Sequence, residues 1–496
     1  VPKKLFLETF GCQMNVLDSE LVLGQLRGQG YQSTDDRDDA DVIVYNTCSV
    51  REHAEQKVWS RLGELKDRKR DNPDLVIGVI GCMAERDGAD LFRKFPQVDL
   101  LCGPGELDKL AGMVHNAVVT GEGGRRERQS ALMGAATRRS STLAAAEDSL
   151  EMLDLSRSIS PVDTDGGASQ AYVRITRGCN KFCTYCVVPY TRGPEVHRPP
   201  GNIVEEVRKL AESGVREVTL LGQTINHYAF VHGDGRTTTF ADLLYMVHEA
   251  APSLARLRFV TSYPRDFSDD ALMAMRDCDR ICRYLHVPAQ SGSDRILKAM
   301  NRGYTAGQYR DFIDRARALM PDISLASDFI VGFPTETDAE FDQTVEIVRY
   351  GRFKNSYIFK YSPRPGTIAI DRFADDVPEE VKRKRNTVLL AAQGQVSEQL
   401  NADMIGRTVQ ILVEGESKLA ARPVYPSSPG GIELGWERRR AKAGGVEAKQ
   451  LVGRTRGDQI VVFDGEAGLV GSLVEVEIAA AKGMTLFAKA AAAVVV

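Results

Sequence analysis

Short apolar runs alternate with stretches of helical periodicity through most of this chain, and the pattern turns to short alternating strands near its end. Lys4–Phe10, Asp41–Asn46 and Leu75–Gly81 read as strands, with helical periodicity at Ser19–Gln29 and Arg51–Lys66 and a stop at Gly28 and Gly30. Strand–helix–strand order predicts a parallel α/β domain over residues 1–120. A second series spans residues 168–395, with strands expected at Ala171–Ile175, Glu217–Leu221, Arg256–Thr261, Tyr284–Val287, Ser324–Val331 and Lys354–Lys360. Helices such as Ile203–Ser213 and Ala306–Leu319 lie between them. Six such repeats predict an open, partial β/α barrel, two units short of the eightfold form. A charged helix from Pro378 to about Asn401 leads into Thr408–Val413, Gln459–Phe463 and Leu473–Ile478, short strands with Gly-rich turns. They predict a small β-barrel over residues 396–485. Residues 121–167 read as a mobile or partly helical linker, and the Pro-, Gly- and Arg-rich segment 418–449 as an insertion. The fold class is therefore α/β, with an all-β end.

Composition adds limits. A chain of 496 residues suits about three domains, and 43% hydrophobic with 27% charged residues is ordinary for a soluble globular protein. No apolar run approaches the ~18 residues that span a bilayer. Glu8 ends the first apolar stretch too early for a signal peptide, and Ala490–Val496 is too short for an anchor. Nine cysteines, an odd number without secretory features, point to a reducing cytoplasm and to ligand or core roles. A net charge of -4 gives no global sign of nucleic-acid binding and leaves only local basic patches. Arg125-Arg126 and Arg138-Arg139 read as solvated charge; Lys382-Arg-Lys-Arg385 reads equally as a solvated helix face or a phosphate-contacting stripe.

The cysteines carry the chemistry. Cys179, Cys183 and Cys186 offer three thiolates from one loop just after the first barrel strand, with no fourth cysteine or histidine beside them. Structural zinc needs four closed ligands. A 4Fe–4S cluster on three cysteines keeps one iron open for a small ligand. Cys12, Cys48 and Cys82 each follow a strand of the first domain, where open α/β sheets bind ligands. They form a second candidate cluster site, although cysteines so placed can also be core. Cys102, Cys278 and Cys282 read as core, the last two sharing one face if helical. The seven histidines show no paired-ligand spacing, and His286 reads as a polar lining residue. Gly222-Gln223, Ser262 and Ile330, at strand ends, fit a ring of ligand contacts around the barrel mouth, with Tyr185 just before the last cysteine. Basic and acidic residues balance in the terminal barrel, so its RNA binding stays open.

These motifs resemble a known family. Cys179-Asn-Lys-Phe-Cys-Thr-Tyr-Cys186 resembles the signature of radical S-adenosylmethionine (SAM) enzymes, and its continuation to Gly193 is similar to that of the methylthiotransferases. Glu8-Thr-Phe-Gly-Cys-Gln-Met-Asn15, Asn46-Thr-Cys-Ser49, Gly81-Cys-Met-Ala-Glu-Arg86, Gln290-Ser-Gly-Ser-Asp294 and Tyr361-Ser-Pro-Arg-Pro-Gly-Thr367 resemble its tRNA-modifying branch. The resemblance runs from about residue 3 to 480, omitting the linker and 418–449. It implies two 4Fe–4S clusters, on Cys12, Cys48 and Cys82 and on Cys179, Cys183 and Cys186. It also implies SAM as co-substrate, two per product, with Tyr185, Gly222, Gln223, Ser262 and Ile330 as candidate contacts. No side chain is nominated as general acid or base. The last domain would be a TRAM barrel gripping tRNA, and the reaction methylthiolation of carbon 2 of N6-isopentenyladenosine at position 37. A reducing partner such as flavodoxin or ferredoxin, a sulfur donor or iron–sulfur carrier, a monomeric state and a cytoplasmic location complete the expectation. Two other targets are threonylcarbamoyl-adenosine in tRNA and a ribosomal-protein aspartate; Gly11-Cys-Gln-Met-Asn15 favours RNA. A zinc-binding RNA-interaction protein is the alternative of another class. His197 and Tyr263 depart from the residues common in the family, and segment 418–449 has no counterpart role.

Overall fold

The structure, a computed structural model, describes residues 2–49, 52–121, 127–133, 142–157, 169–417, 449–489 and 493–495. The arginine pairs at 125–126 and 138–139, the segment 418–448 and most of the Ala490–Val496 tail lie outside the described residues.

The first domain is a parallel sheet of β1 (Lys4–Phe10), β2 (Gln32–Ser33), β3 (Val42–Thr47), β4 (Val76–Gly81), β5 (Leu100–Cys102) and β6 (Gln129–Ala131), in the order β2-β1-β3-β4-β5-β6. Every residue of β3 and β4 is buried, because helices cover both faces. That is why Val42-Ile-Val-Tyr45 and Val76-Ile-Gly-Val-Ile80 are continuous apolar runs. On one face Val44 and Ile80 pack under Leu17, Leu21 and Val114; on the other Tyr45 and Ile77 pack under Val58 and Leu62. Within the expected linker, Thr142–Ser156 is helical.

The second unit has six parallel strands: β7 (Gln170–Arg174), β8 (Glu217–Leu221), β9 (Arg256–Phe259), β10 (Tyr284–His286), β11 (Ser324–Val331) and β12 (Asn355–Lys360). A parallel bridge between Leu257 and Ile281 joins its two halves. Val173, Val218, Leu220, Phe259, Leu285 and Phe329 enter the core under the helices. By strand alternation Arg174, Glu217, Arg256, Arg258, His286 and Asp328 then face the barrel interior. His286 Nε2 lies 2.9 Å from Asp328 Oδ1, a satisfied polar lining residue.

The last unit closes on itself. β13 (Thr408–Glu416), β14 (Lys449–Thr455), β15 (Ile460–Gly465), β16 (Leu473–Lys482) and β17 (Thr485–Ala488) pair in a ring, β13 with β14 and β16, and β17 with β15 and β16. Ile411, Leu451, Phe463, Val476 and Leu486 fill it. This barrel docks on the N-terminal mouth of the open one. Arg256 donates to the carbonyls of Arg454 (2.8 Å) and Gln410 (3.0 Å), and Arg258 to those of Thr455 (2.6 Å) and Arg456 (3.0 Å). The C-terminal mouth is thereby left for chemistry.

The Lys382–Arg385 run divides in a way its sequence does not suggest. Lys382 and Arg385 are buried, paired with Asp375 and with Glu336 and Asp338, while Arg383 and Lys384 are exposed. Two of its four cations therefore hold the helix Glu379–Ala402 in place and cannot serve a phosphate stripe.

Candidate cluster sites and the family

Cys12, Cys48 and Cys82 stand at the C-terminal ends of β1, β3 and β4, three neighbouring strands. Cys12 caps the helix Gln13–Gly28, and Cys82 opens the helix Cys82–Asp87. Asn15 and Asn46 fasten the strand ends together: Asn15 Nδ2 donates to Asn46 Oδ1 at 2.7 Å, and Asn46 Nδ2 donates to the Asn15 carbonyl at 2.8 Å and to Ser19 Oγ at 2.9 Å. The glycines before two of the cysteines follow from this crowding. A Cβ on Gly11 would lie 2.9 Å from Cys48 Cβ, and one on Gly81 would lie 2.5 Å from Asn46 Oδ1. Gly81 also has φ +92, a left-handed conformation costly to other residues. The thiols interact. A hydrogen bond with Cys48 brings the Cys12 thiol down to about 5, against burial and with help from Arg192. Burial raises that of Cys82, which Arg192 partly offsets. Gly81→Ala is expected to disturb both the strand end and Cys82. We expect this variant to lose about 2 kcal/mol of stability and much of the iron that the first cysteine set would hold, read by denaturant titration and iron analysis. Wild-type values in both would contradict the crowding.

The second set lies in the loop after β7. Gly178 has φ +68, and a Cβ there would collide with the Pro194 carbonyl oxygen, so the turn into Cys179 needs glycine. The loop is tied down by its backbone: the Cys179 amide donates to Gly193 (3.2 Å), that of Thr184 to Met300 (3.0 Å) and that of Cys186 to Cys183 (3.0 Å). Burial lifts the Cys186 thiol to about 12, with Cys183 and Cys179 adding to it, and also raises Cys179. Two partners were not evident from sequence. Thr224 Oγ1 is 3.4 Å from Cys179 Sγ, and Arg302 Nη1 donates to Cys183 Sγ at 3.4 Å. Arg302 is buried, and its guanidinium lies 4.6 Å from the Tyr263 ring centroid. The departure at Tyr263 thus supplies a cation–π support for it.

Both sets fit a cluster. Each brings soft thiols next to a buried guanidinium, Arg192 or Arg302, a suitable counterion for an anionic group. Among the described residues no three His, Cys, Asp or Glu side chains converge on a single metal ion. A 4Fe–4S core instead takes one thiolate per iron. The expected SAM contacts occupy the same mouth. Gly222 and Gln223 follow β8, Ser262 lies beyond β9, and Tyr185 and Ile330 pack on one apolar cluster with Phe333 and Tyr361. Gln223 Oε1, Ser262 Oγ and Thr176 Oγ1 are buried without a hydrogen-bond partner, as suits polar atoms awaiting a ligand. Cys102, Cys278 and Cys282 are buried in the core; Cys278 ends the helix Asp269–Asp277 and Cys282 lies beyond it, so they do not share a helix.

His197 packs edge-on to Tyr228, and its Nδ1 is buried without a partner. Burial, with His227 adding, pulls its pKa down from 6.5 to about 4. The folded chain therefore holds it neutral where the unfolded chain is protonated. Its contribution is complete above pH ~6.5 and is lost as pH falls through ~4. Discounted for partial exposure, this amounts to about 1–2 kcal/mol. His197→Ser should flatten the acid limb of stability measured by urea titration between pH 7 and 4; an unchanged limb would rule it out.

Residues 4–103 match a family described as Uncharacterized protein family UPF0004, and residues 173–348 match the Radical SAM superfamily. Three whole-chain relatives carry one name. A tRNA-2-methylthio-N(6)-dimethylallyladenosine synthase of Rhodopirellula baltica is 44% identical, over 98% of this chain and 95% of its own. Those of Syntrophotalea carbinolica and Neisseria gonorrhoeae are each 39% identical, over 97% and 98% of this chain and 98% and 99% of their own. The chain belongs to the tRNA-2-methylthio-N(6)-dimethylallyladenosine synthase family. It is a radical SAM enzyme that uses SAM and 4Fe–4S clusters, as the cysteine loop and the opening motif implied. Among the described residues, no helix is long and apolar enough to cross a membrane.

Proposed function

We propose that the enzyme adds a methylthio group to carbon 2 of N6-isopentenyladenosine at position 37 of tRNA, next to the anticodon. Near full-length likeness to synthases of that name carries the reading. Cys179, Cys183 and Cys186 would hold the cluster that binds SAM, with Tyr185, Gly222, Gln223, Ser262 and Ile330 around the SAM molecule. Cys12, Cys48 and Cys82 would hold the auxiliary cluster, which would present the sulfur for transfer, with a second SAM supplying the methyl group. When bound and reduced, the first cluster would supply the one-electron cleavage of SAM, the radical chemistry that an unactivated C–H bond at carbon 2 requires. That C–H bond is not acidic, so no side chain serves as general base. The chain instead binds and orients the reactants, shields the thiols from water, and places both cysteine sets at strand C-terminal ends. The terminal barrel, read as a TRAM domain, would grip the tRNA, and residues 1–120, 168–395 and 396–485 would act as the three domains.

A flavodoxin or ferredoxin as electron donor, a sulfur donor or iron–sulfur carrier, a monomeric state and a cytoplasmic location belong to the same proposal. Mass analysis of tRNA nucleosides from a deletion strain tests it. The methylthio nucleoside should vanish while its isopentenylated precursor accumulates; an unchanged nucleoside profile would sink the reading.

A further inference from the structure

Arg192 belongs by sequence to the second cysteine loop and by position to the first cysteine set. It follows the short helix Val188–Thr191 after Cys186, and this helix packs against the helix that Cys82 opens. Its side chain is 6% exposed. Nη2 donates to Asp18 Oδ2 at 2.8 Å, and Asp18 lies on the helix that Cys12 caps. The guanidinium acts on the Cys82 thiol through a hydrogen bond and its charge, and on the Cys12 thiol through its charge. Asp18 is shared, because its Oδ1 accepts from Arg174 Nη1 at 2.9 Å. Arg174 is further answered by Asp154 at 2.6 Å. The cation of Arg192 is thus pinned from one side and turned toward sulfur on the other.

We propose that Arg192 is a positioning residue for the N-terminal cysteine set: its buried cation, held by Asp18 between the helices that Cys12 caps and Cys82 opens, stabilises the more negative, reduced state of the cluster they hold. The inference rests on the ligand assignment proposed above. A cluster gains one negative charge when it accepts one electron, and a nearby cation in a poorly screened interior favours that charge. Net charge and hydrogen bonds to the sulfurs are among the main determinants of iron–sulfur potentials. An arginine that only packed the two loops together would leave the potential unmoved.

The test uses the full chain with Cys179, Cys183 and Cys186 replaced by alanine, so that one cluster remains. Its reduction by dithionite in poised mediators is followed by electron paramagnetic resonance. R192Q is expected to move the one-electron equilibrium about tenfold toward the oxidised form, or about 59 mV more negative. R192K, which keeps the charge, should stay within about threefold of the parent. An unchanged potential in R192Q, or an equal fall in both variants, overturns the inference. If R192Q holds no iron, R192K decides: parental iron and potential support it, and failure to assemble overturns it. A parent chain that binds no cluster overturns the ligand assignment itself, a separate and recognisable outcome.

Discussion

A chain with Cys179, Cys183 and Cys186 all replaced by alanine should form no methylthiolated nucleoside and retain about four irons where the wild type holds about eight. Replacing Cys12, Cys48 and Cys82 instead should remove the same amount of iron and also abolish the product, but with a different residue of activity. That variant keeps the loop in which Arg302 and Thr224 flank the thiols, along with the unpartnered oxygens of Gln223 and Ser262. SAM cleavage to 5′-deoxyadenosine should therefore persist in it and be absent from the first variant. The iron count, the cleavage product and the modified nucleoside are three separate measurements, and only this arrangement of two sets moves them in that pattern. Full iron in either triple variant would remove those cysteines from the ligand set. Zinc in place of iron, with a colourless protein, would favour the structural-metal alternative, because the zinc ion has a filled d shell.

Much of this is legible in the sequence alone. Glu217–Leu221, Ser324–Val331 and Ala306–Leu319 have the boundaries their periodicity predicts, because each buries one regular face against the helix–strand core. The cysteine loop was legible for another reason: three thiols within eight residues need no tertiary information to be recognised. Elements set by distant contacts were not. The first helix starts at Gln13, ahead of the Ser19 start that apolar spacing suggests. Its first turns bury Asn15, Asp18 and Ser19, polar residues whose partners Asn46, Arg174 and Arg192 lie far along the chain. β14 and β17 are not legible in the sequence either. Gly453 breaks the apolar pattern of β14, because a Cβ there would sit 2.5 Å from the Leu412 carbonyl oxygen, a demand imposed by the neighbouring strand. Arg302 carries no local mark of its role, since the thiol it faces is 119 residues away. What the sequence conceals is chiefly buried charge, whose meaning depends on its partner.

The largest loss of stability should come from that buried charge. Asp18→Ala is expected to cost about 3–5 kcal/mol, because it leaves the Arg192 cation without its carboxylate in the interior and Arg174 with one fewer. Asp18 is 1% exposed and receives Arg174 at 2.9 Å and Arg192 at 2.8 Å, so it joins the first domain's leading helix to the barrel's first strand and to the cysteine loop. Around it Asp154 answers Arg174 and Arg177, and Arg198 pairs with Glu206 at 2.9 Å and with Glu151 at 2.8 Å. Burial pushes the Asp154 carboxyl up, but Arg174, Arg177 and Arg198 together hold it well below the usual range, so it remains an anion as its neighbours require. Arg174 keeps Asp154 when Asp18 is removed, whereas Arg192 loses the carboxylate that pins it. Asp18→Ala combined with Arg192→Met should therefore be more stable than the two separate losses predict, by more than about 1 kcal/mol. Added salt should leave that coupling largely intact, since buried pairs are poorly screened. Hydrogen exchange of the helices Gln13–Gly28 and Thr142–Ser156 is the appropriate measurement, because a chain of several domains need not unfold in one step. Protection there unchanged in Asp18→Ala, or strictly additive losses in the double variant, would mean that the network holds the domains no more firmly than the apolar packing around it.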